Sequence, residues 1–104
     1  MALPVLSAEE RTAALEKGVR IRRQRADVKK YLKQGTTTLP AVLAKAADDD
    51  AIQGMKVLSL VQSMPGVGKV RAAQIMERLQ IAEGRRVRGL GPNQRAALEV
   101  EFAA

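Results

Sequence analysis

The chain has 104 residues, a formal net charge of +7 and a pI of about 10.4. It contains no Cys, His or Trp, which excludes a disulfide framework, zinc or copper sites with Cys or His ligands, and catalysis by Cys or His. Its length fits one domain with a modest core. Such a positive field attracts polyanions, either nucleic acid or an acidic membrane surface.

A long helix is predicted for the N-terminal third. Ser7-Ala8-Glu9-Glu10 has the spacing of a capping box, and Gly35 follows the expected last residue, Gln34. An apolar stripe at Ile21, Val28 and Leu32 lies in the second half of this helix. We therefore expect the second half to dock on the body of the protein and the first half to project as an arm.

The same helix is strongly basic. Between residues 16 and 34, eight basic side chains face two acidic ones, Glu16 and Asp27, more than pairing at i,i+4 can use. This imbalance predicts contact with a nucleic-acid backbone on a face that the sequence leaves open, although Asp27 is expected to pair with part of the charge. The basic residues are Lys17, Arg20, Arg22, Arg23, Arg25, Lys29, Lys30 and Lys33.

Two further helices and one loop are predicted in the rest of the chain. Thr38 is placed to cap a second helix that starts at Leu39-Pro40. The acidic run Asp48-Asp49-Asp50 lacks the alternation and the Gly of a calcium loop, so it is interpreted as a solvated loop. Pro92 begins a final helix that runs to about Phe102. The prediction is an all-α chain of about five helices.

The most informative motif is Pro65-Gly66-Val67-Gly68-Lys69, between apolar stretches with helical spacing at residues 57–64 and 69–79. Pro and Gly interrupt the helix, which predicts two short helices joined by a tight hairpin. Ala72 would let these helices approach closely. The N–H groups that open the second helix, with Lys69 and Arg71 beside them, suit a backbone phosphate.

A nucleotide-binding P-loop fits this motif less well. That motif needs Gly at position 63 and Ser or Thr at position 70, where this chain has Ser63 and Val70. A plain turn between helices without a ligand is the simpler alternative, because such turns often contain Gly. The two glycines and the Lys at the helix start exceed what a plain turn requires.

A second basic cluster follows the hairpin. Arg85, Arg86 and Arg88 stand among Gly84, Gly89 and Gly91, with no acidic residue between Glu83 and Glu99. Three Arg on a flexible loop can contact phosphates on either side of a groove or enter a narrow minor groove. We expect this loop to contact nucleic acid rather than to be a solvated run of charge.

Together these residues resemble the actinobacterial integration host factor family. The resemblance covers essentially the whole chain, and the combination of its parts is more specific than the hairpin alone. The matching segments are Met64 to Glu77, Arg85 to Gly91, Met1-Ala2-Leu3-Pro4, Ala13 to Lys17, and Gly54-Met55-Lys56-Val57.

The resemblance implies a small nucleoid-associated protein whose helix–two-turn–helix core is related to that of ribosomal protein S13. It implies a basic arm at residues 1–34 and a core at residues 35–104. Its partner would be double-stranded DNA, bound with little sequence preference and bent or reshaped, in support of phage integration with an integrase. The expected protein is a monomer of the cytoplasm and nucleoid with no catalytic residue, cofactor or metal. The expected DNA-contacting residues are Gly66, Val67, Gly68, Lys69, Arg71, Arg85, Arg86, Arg88, Arg20, Arg22, Arg23 and Lys56.

Three other functions are weighed against this one. An RNA-binding ribosomal or assembly factor would use the same hairpin on a different backbone. A glycosylase or lyase with Lys69 as a Schiff-base nucleophile lacks the chain length for a pocket that holds a flipped base. A membrane-bound amphipathic helix would need a broad Leu, Phe or Trp face, which the basic helix does not have.

Overall fold

The computed structural model describes residues 7–103, so the Met1–Pro4 part of the resemblance lies outside the described residues. These residues form an all-α fold and include the five expected helices together with a short sixth one, α3. The α-helices are α1 (Ala8–Gln34), α2 (Leu39–Lys45), α3 (Asp50–Gln53), α4 (Val57–Gln62), α5 (Lys69–Arg78) and α6 (Pro92–Glu101). Short 3₁₀ helices lie at Ala46–Asp48 and Val87–Gly89.

The ends of α1 follow the predicted capping signals. The Ser7 hydroxyl accepts a hydrogen bond from the Glu10 N–H, which satisfies one unpaired donor of the first turn. Gly35 adopts the left-handed region at φ +73°, and its N–H donates to the Leu32 carbonyl. The helix therefore starts and stops where the sequence places these two residues.

Only the second half of α1 packs on the rest of the molecule. Residues 8–17 are all exposed, whereas Leu32 is completely buried and Val28 is half-buried against the core. The Arg25 Nε donates to the Ala51 carbonyl over 2.9 Å, which fixes α1 to α3. This agrees with the expected projecting arm; the boundary between residues 1–34 and 35–104 stays a prediction.

The core lies between α4 and α5 and extends to α2 and α6. Leu60 and Val61 of α4 are fully buried, as are Leu98 of α6 and Ala72 of α5. Ala72 has the small side chain that lets α4 and α5 approach closely behind the hairpin, as the sequence predicts. The core thereby holds the two helices of the hairpin in a fixed relation.

Two expectations about acidic residues are wrong. The run Asp48-Asp49-Asp50 is not a loop, because Asp48 ends a 3₁₀ helix and Asp50 begins α3. Asp49 lies between them, and its carboxylate accepts hydrogen bonds from the N–H groups of Ala51 and Ile52 and so caps α3. Asp27 forms none of the ion pairs recorded within residues 7–103. Its neighbours at i±4, Arg23 and Tyr31, give a cation on one side only, and an exposed pair of this kind gains little.

The recorded ion pairs involve the C-terminal helix instead. Arg95 pairs with Glu99 within α6, and Arg78 of α5 pairs with Glu101 at the end of α6. The hydrogen bond from Arg78, helped by the nearby charge of Arg71, holds the pKa of Glu101 below its ordinary value. The Arg78–Glu101 pair is an electrostatic link between α5 and α6 at the surface.

Candidate nucleic-acid interface

The hairpin between α4 and α5 is a tight turn with an open outer side. The Val67 N–H donates to the Met64 carbonyl, and Gly66 lies at φ +74° after Pro65, the arrangement of a type II turn. Val67 packs on the core, which anchors the turn from within. The turn therefore requires Gly at position 66 for its backbone conformation.

Gly68 serves a different purpose from Gly66. Its φ of −85° and ψ of −178° are open to any residue, and a Cβ added there meets no atom within 4 Å. Neither backbone strain nor internal packing explains the glycine. A glycine at this point leaves the space in front of α5 free, so that another molecule can approach the backbone closely.

The start of α5 faces that open space. Gly68 provides no side-chain cap, so the first N–H groups of α5 have no side-chain acceptor. The partial positive charge of the helix start adds to the exposed cations Lys69 and Arg71. The predicted residues of the hairpin thus come together as a small, exposed and positively charged surface.

The loop that carries Arg85, Arg86 and Arg88, which we call the arginine loop, is not the flexible segment that the sequence predicts. The Val57 N–H donates to the Arg85 carbonyl over 3.0 Å, and the Val87 N–H donates to the Met55 carbonyl over 2.9 Å. These bonds pair Lys56 with Arg86 in an isolated antiparallel bridge. The glycines suggested mobility, but pairing with the distant strand-like segment before α4 fixes the loop.

This pairing brings cations together. Residues directly opposite each other in an antiparallel pair share a face, and like charges there are destabilising. Lys56 and Arg86 are such a pair, and both are exposed. Lys56 and the arginine loop, far apart in sequence, form one patch.

The three arginines differ in their own bonds. The Arg86 guanidinium donates to the Gly54 carbonyl, and the Arg85 guanidinium donates to the Gly89 carbonyl over 2.8 Å. Arg88 makes no side-chain hydrogen bond to any residue in the range 7–103. Arg86 therefore combines a structural bond with its charge, whereas the Arg88 head group is exposed to solvent.

Helix α4 connects these patches. Lys56 immediately precedes it, and the hairpin begins at Pro65, after two intervening residues. Six residues at 1.5 Å each make α4 about 9 Å long, so both patches fit within the footprint of one nucleic-acid strand. The structure does not bring the arm residues Arg20, Arg22 and Arg23 into either patch; all three are exposed along α1.

A further basic surface lies beside α4. An open groove of about 570 Å³ separates it from the C-terminal half of α1, and we call it the lysine groove. Its residues are Ala26, Lys29, Lys30, Lys33 and Gln34 from α1, with Ser59, Gln62 and Ser63 from α4. The sequence showed these lysines in the basic run, but only the packing of α1 on α4 identifies the surface they share.

Within residues 7–103, no helix is long and apolar enough to cross a bilayer. The same part of the chain shows no group of three or more acidic side chains arranged to hold a metal ion.

The fold and surface place the chain in a known class. Residues 32–102 match the S13-like H2TH domain family, which covers the end of α1 and all of α2 to α6. A solved structure described as sIHF bound to an 8-bp palindromic DNA superimposes with a TM-score of 0.81. It is 56% identical in sequence and covers 85% of this chain and 99% of its own.

Full-length relatives make the family more specific. The integration host factor of Streptomyces coelicolor is 57% identical over 104 residues, covering 100% of this chain and 97% of the relative. The integration host factor of Mycobacterium tuberculosis is 50% identical, covering 100% and 99% respectively. The chain belongs to the actinobacterial integration host factor family.

Proposed function

We propose that this protein binds double-stranded DNA through the phosphate backbone, with little sequence preference, and bends or reshapes the duplex. The observation that carries the proposal is the uncapped start of α5, which opens past Gly68 onto free space next to Lys69 and Arg71. A relative of the same fold, 56% identical, is described as bound to DNA. The role is architectural, without catalysis, cofactor or metal.

Each patch has a distinct part in this proposal. The backbone of Gly66, Val67 and Gly68, with Lys69 and Arg71, holds phosphates of one strand. The second patch contacts the backbone about one length of α4 away from the hairpin, and its Arg side chains also suit a narrow minor groove. It consists of Lys56, Arg85, Arg86 and Arg88. Together the two patches would hold the duplex backbone at both ends of α4.

Low sequence specificity follows from the side chains available. Base readout in the major groove relies on Asn, Gln or Arg presented together from a helix or strand. Helix α5 begins Lys69-Val70-Arg71 and then turns Ala72 into the core, so it presents mainly charge. Backbone contacts of this kind set position and affinity without reading sequence.

The family suggests the cellular setting. We propose a monomer in the cytoplasm, associated with the nucleoid, that supports phage integration by shaping the DNA on which an integrase acts. The basic arm of residues 1–34 and the core of residues 35–104 would act together on the duplex. A net charge of +7 favours rapid association with DNA.

Salt-dependent binding tests this function. Anisotropy titrations with two unrelated DNA duplexes should give similar affinities with steep salt dependence, with a slope of about −0.9 per phosphate neutralised and roughly five to eight phosphates. An RNA hairpin of equal charge should bind more weakly. Tighter binding to the RNA would contradict the proposal and favour an RNA-binding assembly factor.

A matched pair of substitutions tests the hairpin. Gly68→Asp places a carboxylate where a phosphate would lie, and it should weaken duplex binding at least tenfold because like charges in a contact repel strongly. Asn93→Asp adds the same charge at the exposed start of another helix, α6, and should change binding little. Equal effects of the two substitutions would contradict the proposal that the hairpin contacts the duplex.

A further inference from the structure

The lysine groove contains positive charge without a recorded acidic partner. Lys29, Lys30 and Lys33 line its α1 side, and no acidic residue lines either side. None of the three forms an ion pair within residues 7–103. Lys29 and Lys33 are four residues apart on one helix, a spacing at which like charges destabilise the helix. An anion bound in the groove would offset this repulsion between the lysines.

The opposite side of the groove admits a close approach. Ser59 and Ser63 present short side chains, and the Ser63 hydroxyl donates back to the Ser59 carbonyl over 2.8 Å. Gln62 between them is half-buried. A polar side without bulky groups leaves room for a phosphate backbone, and the Ser59 hydroxyl and the Gln62 amide can donate hydrogen bonds to it.

The groove also leads directly to the hairpin. Ser63 stands two positions before Pro65, at the end of α4 from which the hairpin turns. The groove and the hairpin are therefore adjacent at the C-terminal end of α4, so one nucleic-acid strand can contact both. The repeating charge of a nucleic-acid strand matches lysines spaced along a helix.

The groove distinguishes two sides of α1. At 3.6 residues per turn, Lys29 and Lys33 lie on the side that faces α4, whereas Arg20 lies about 110° and Lys17 about 170° around the helix from the groove centre. Arg20 shares a separate surface of α1 with Gln24 and Asp27. Arg22 lies one helical turn before Ala26, on the same side of α1 as Lys29 and Lys33.

We infer that the lysine groove binds phosphates of the same duplex strand that the hairpin holds, so that α1 contacts DNA through its α4-facing side. This inference rests on the proposed duplex binding and adds to it a surface and an orientation. It assigns Lys29, Lys30 and Lys33 to the interface and removes Arg20 from it.

Two double variants of equal charge test the orientation. Lys29→Gln with Lys33→Gln should remove about two phosphate contacts. The loss of affinity between about 50 and 200 mM salt should then be ~12-fold smaller than in the unsubstituted protein. Lys17→Gln with Arg20→Gln removes the same charge from the far side and should leave that salt-dependent loss unchanged. An equal reduction of the loss in both variants, or a larger reduction in the second, overturns the inference.

An isosteric pair gives an independent readout. Gln62→Glu puts a carboxylate into the groove and should weaken duplex binding about tenfold, because like charges across a contact repel. Gln24→Glu puts the same group on the far side of α1 and should have little effect. Equal affinities of these two variants overturn DNA binding by the lysine groove, while the Gly68→Asp comparison still tests the hairpin separately. Loss of salt-steep binding in the unsubstituted protein overturns the proposed function itself.

Discussion

At the scale of single residues, charge alone does not define a role. Arg25 and Arg86 both belong to basic runs, yet each donates to a backbone carbonyl around α3, at Ala51 and Gly54 respectively. Cationic side chains at the carbonyl end of a helix satisfy acceptors that the helix leaves unpaired. Part of the basic character of the chain therefore holds the fold together.

The comparison of Arg86 with Arg88 separates the two roles. Arg86→Ala should lower the free energy of unfolding by about 1 kcal/mol, because it removes a bond to a backbone carbonyl. Arg88→Ala should leave it within about 0.5 kcal/mol, since its side chain has no hydrogen-bond partner in residues 7–103. Urea denaturation measures both, and duplex titration should show weaker binding in each. Equal stability of the two variants would contradict the structural role of Arg86.

At the scale of elements, the short helix α3 positions the interface. It has only the four residues Asp50–Gln53, too few to be stable alone, and it contacts α1, α2 and the 3₁₀ helix at Val87–Gly89. Ala51 and Ile52 bury its inner face, and Asp49 caps it. Through α3, the arginine loop and α1 are held in fixed places around α4.

The cap of α3 gives a prediction at this scale. Asp49→Ala should destabilise the protein by about 1 kcal/mol, because two N–H groups lose their acceptor. Asp48→Ala, in an exposed neighbouring residue that caps nothing, should stay within about 0.5 kcal/mol. Chemical denaturation of both variants measures the difference. A similar small effect in each would restore the interpretation of this acidic run as a solvated loop.

At the scale of the whole molecule, α1 makes the shape elongated. The described residues extend over 48 × 31 × 25 Å, and a 27-residue helix alone spans about 40 Å. Its first ten residues are exposed, whereas the groove side near Ala26 faces α4. One end of the helix is thus part of the folded body, and the other depends on its own helical propensity.

Proline substitutions should reveal this division. Ala14→Pro should lower the helical circular-dichroism signal by about two turns but leave the urea midpoint unchanged, since no buried side chain precedes it in α1. Ala26→Pro should cost about 3 kcal/mol, because it breaks the helix where it is docked. A large shift of the midpoint in Ala14→Pro would mean that the arm packs on the body.

The sequence by itself determined the features that depend on neighbouring residues. Ser7, Gly35 and Thr38 mark helix ends because capping bonds span only three or four positions. The Pro-Gly turn before Gly68 also depends on local backbone geometry, so the hairpin was predictable in position and form. Net charge and the basic runs indicated a polyanionic partner without showing which cations meet it.

Only the tertiary structure decided how distant segments meet. Asp49 caps α3 because α3 has a core to bury its inner face, and Lys56 pairs with Arg86 across thirty positions of sequence. The assignment of the α4-facing lysines to a groove likewise depends on the rotation of α1 about its axis. Helical periodicity fixes which residues share a side, but burial of Leu32 and Val28 against the core selects the side that turns inward.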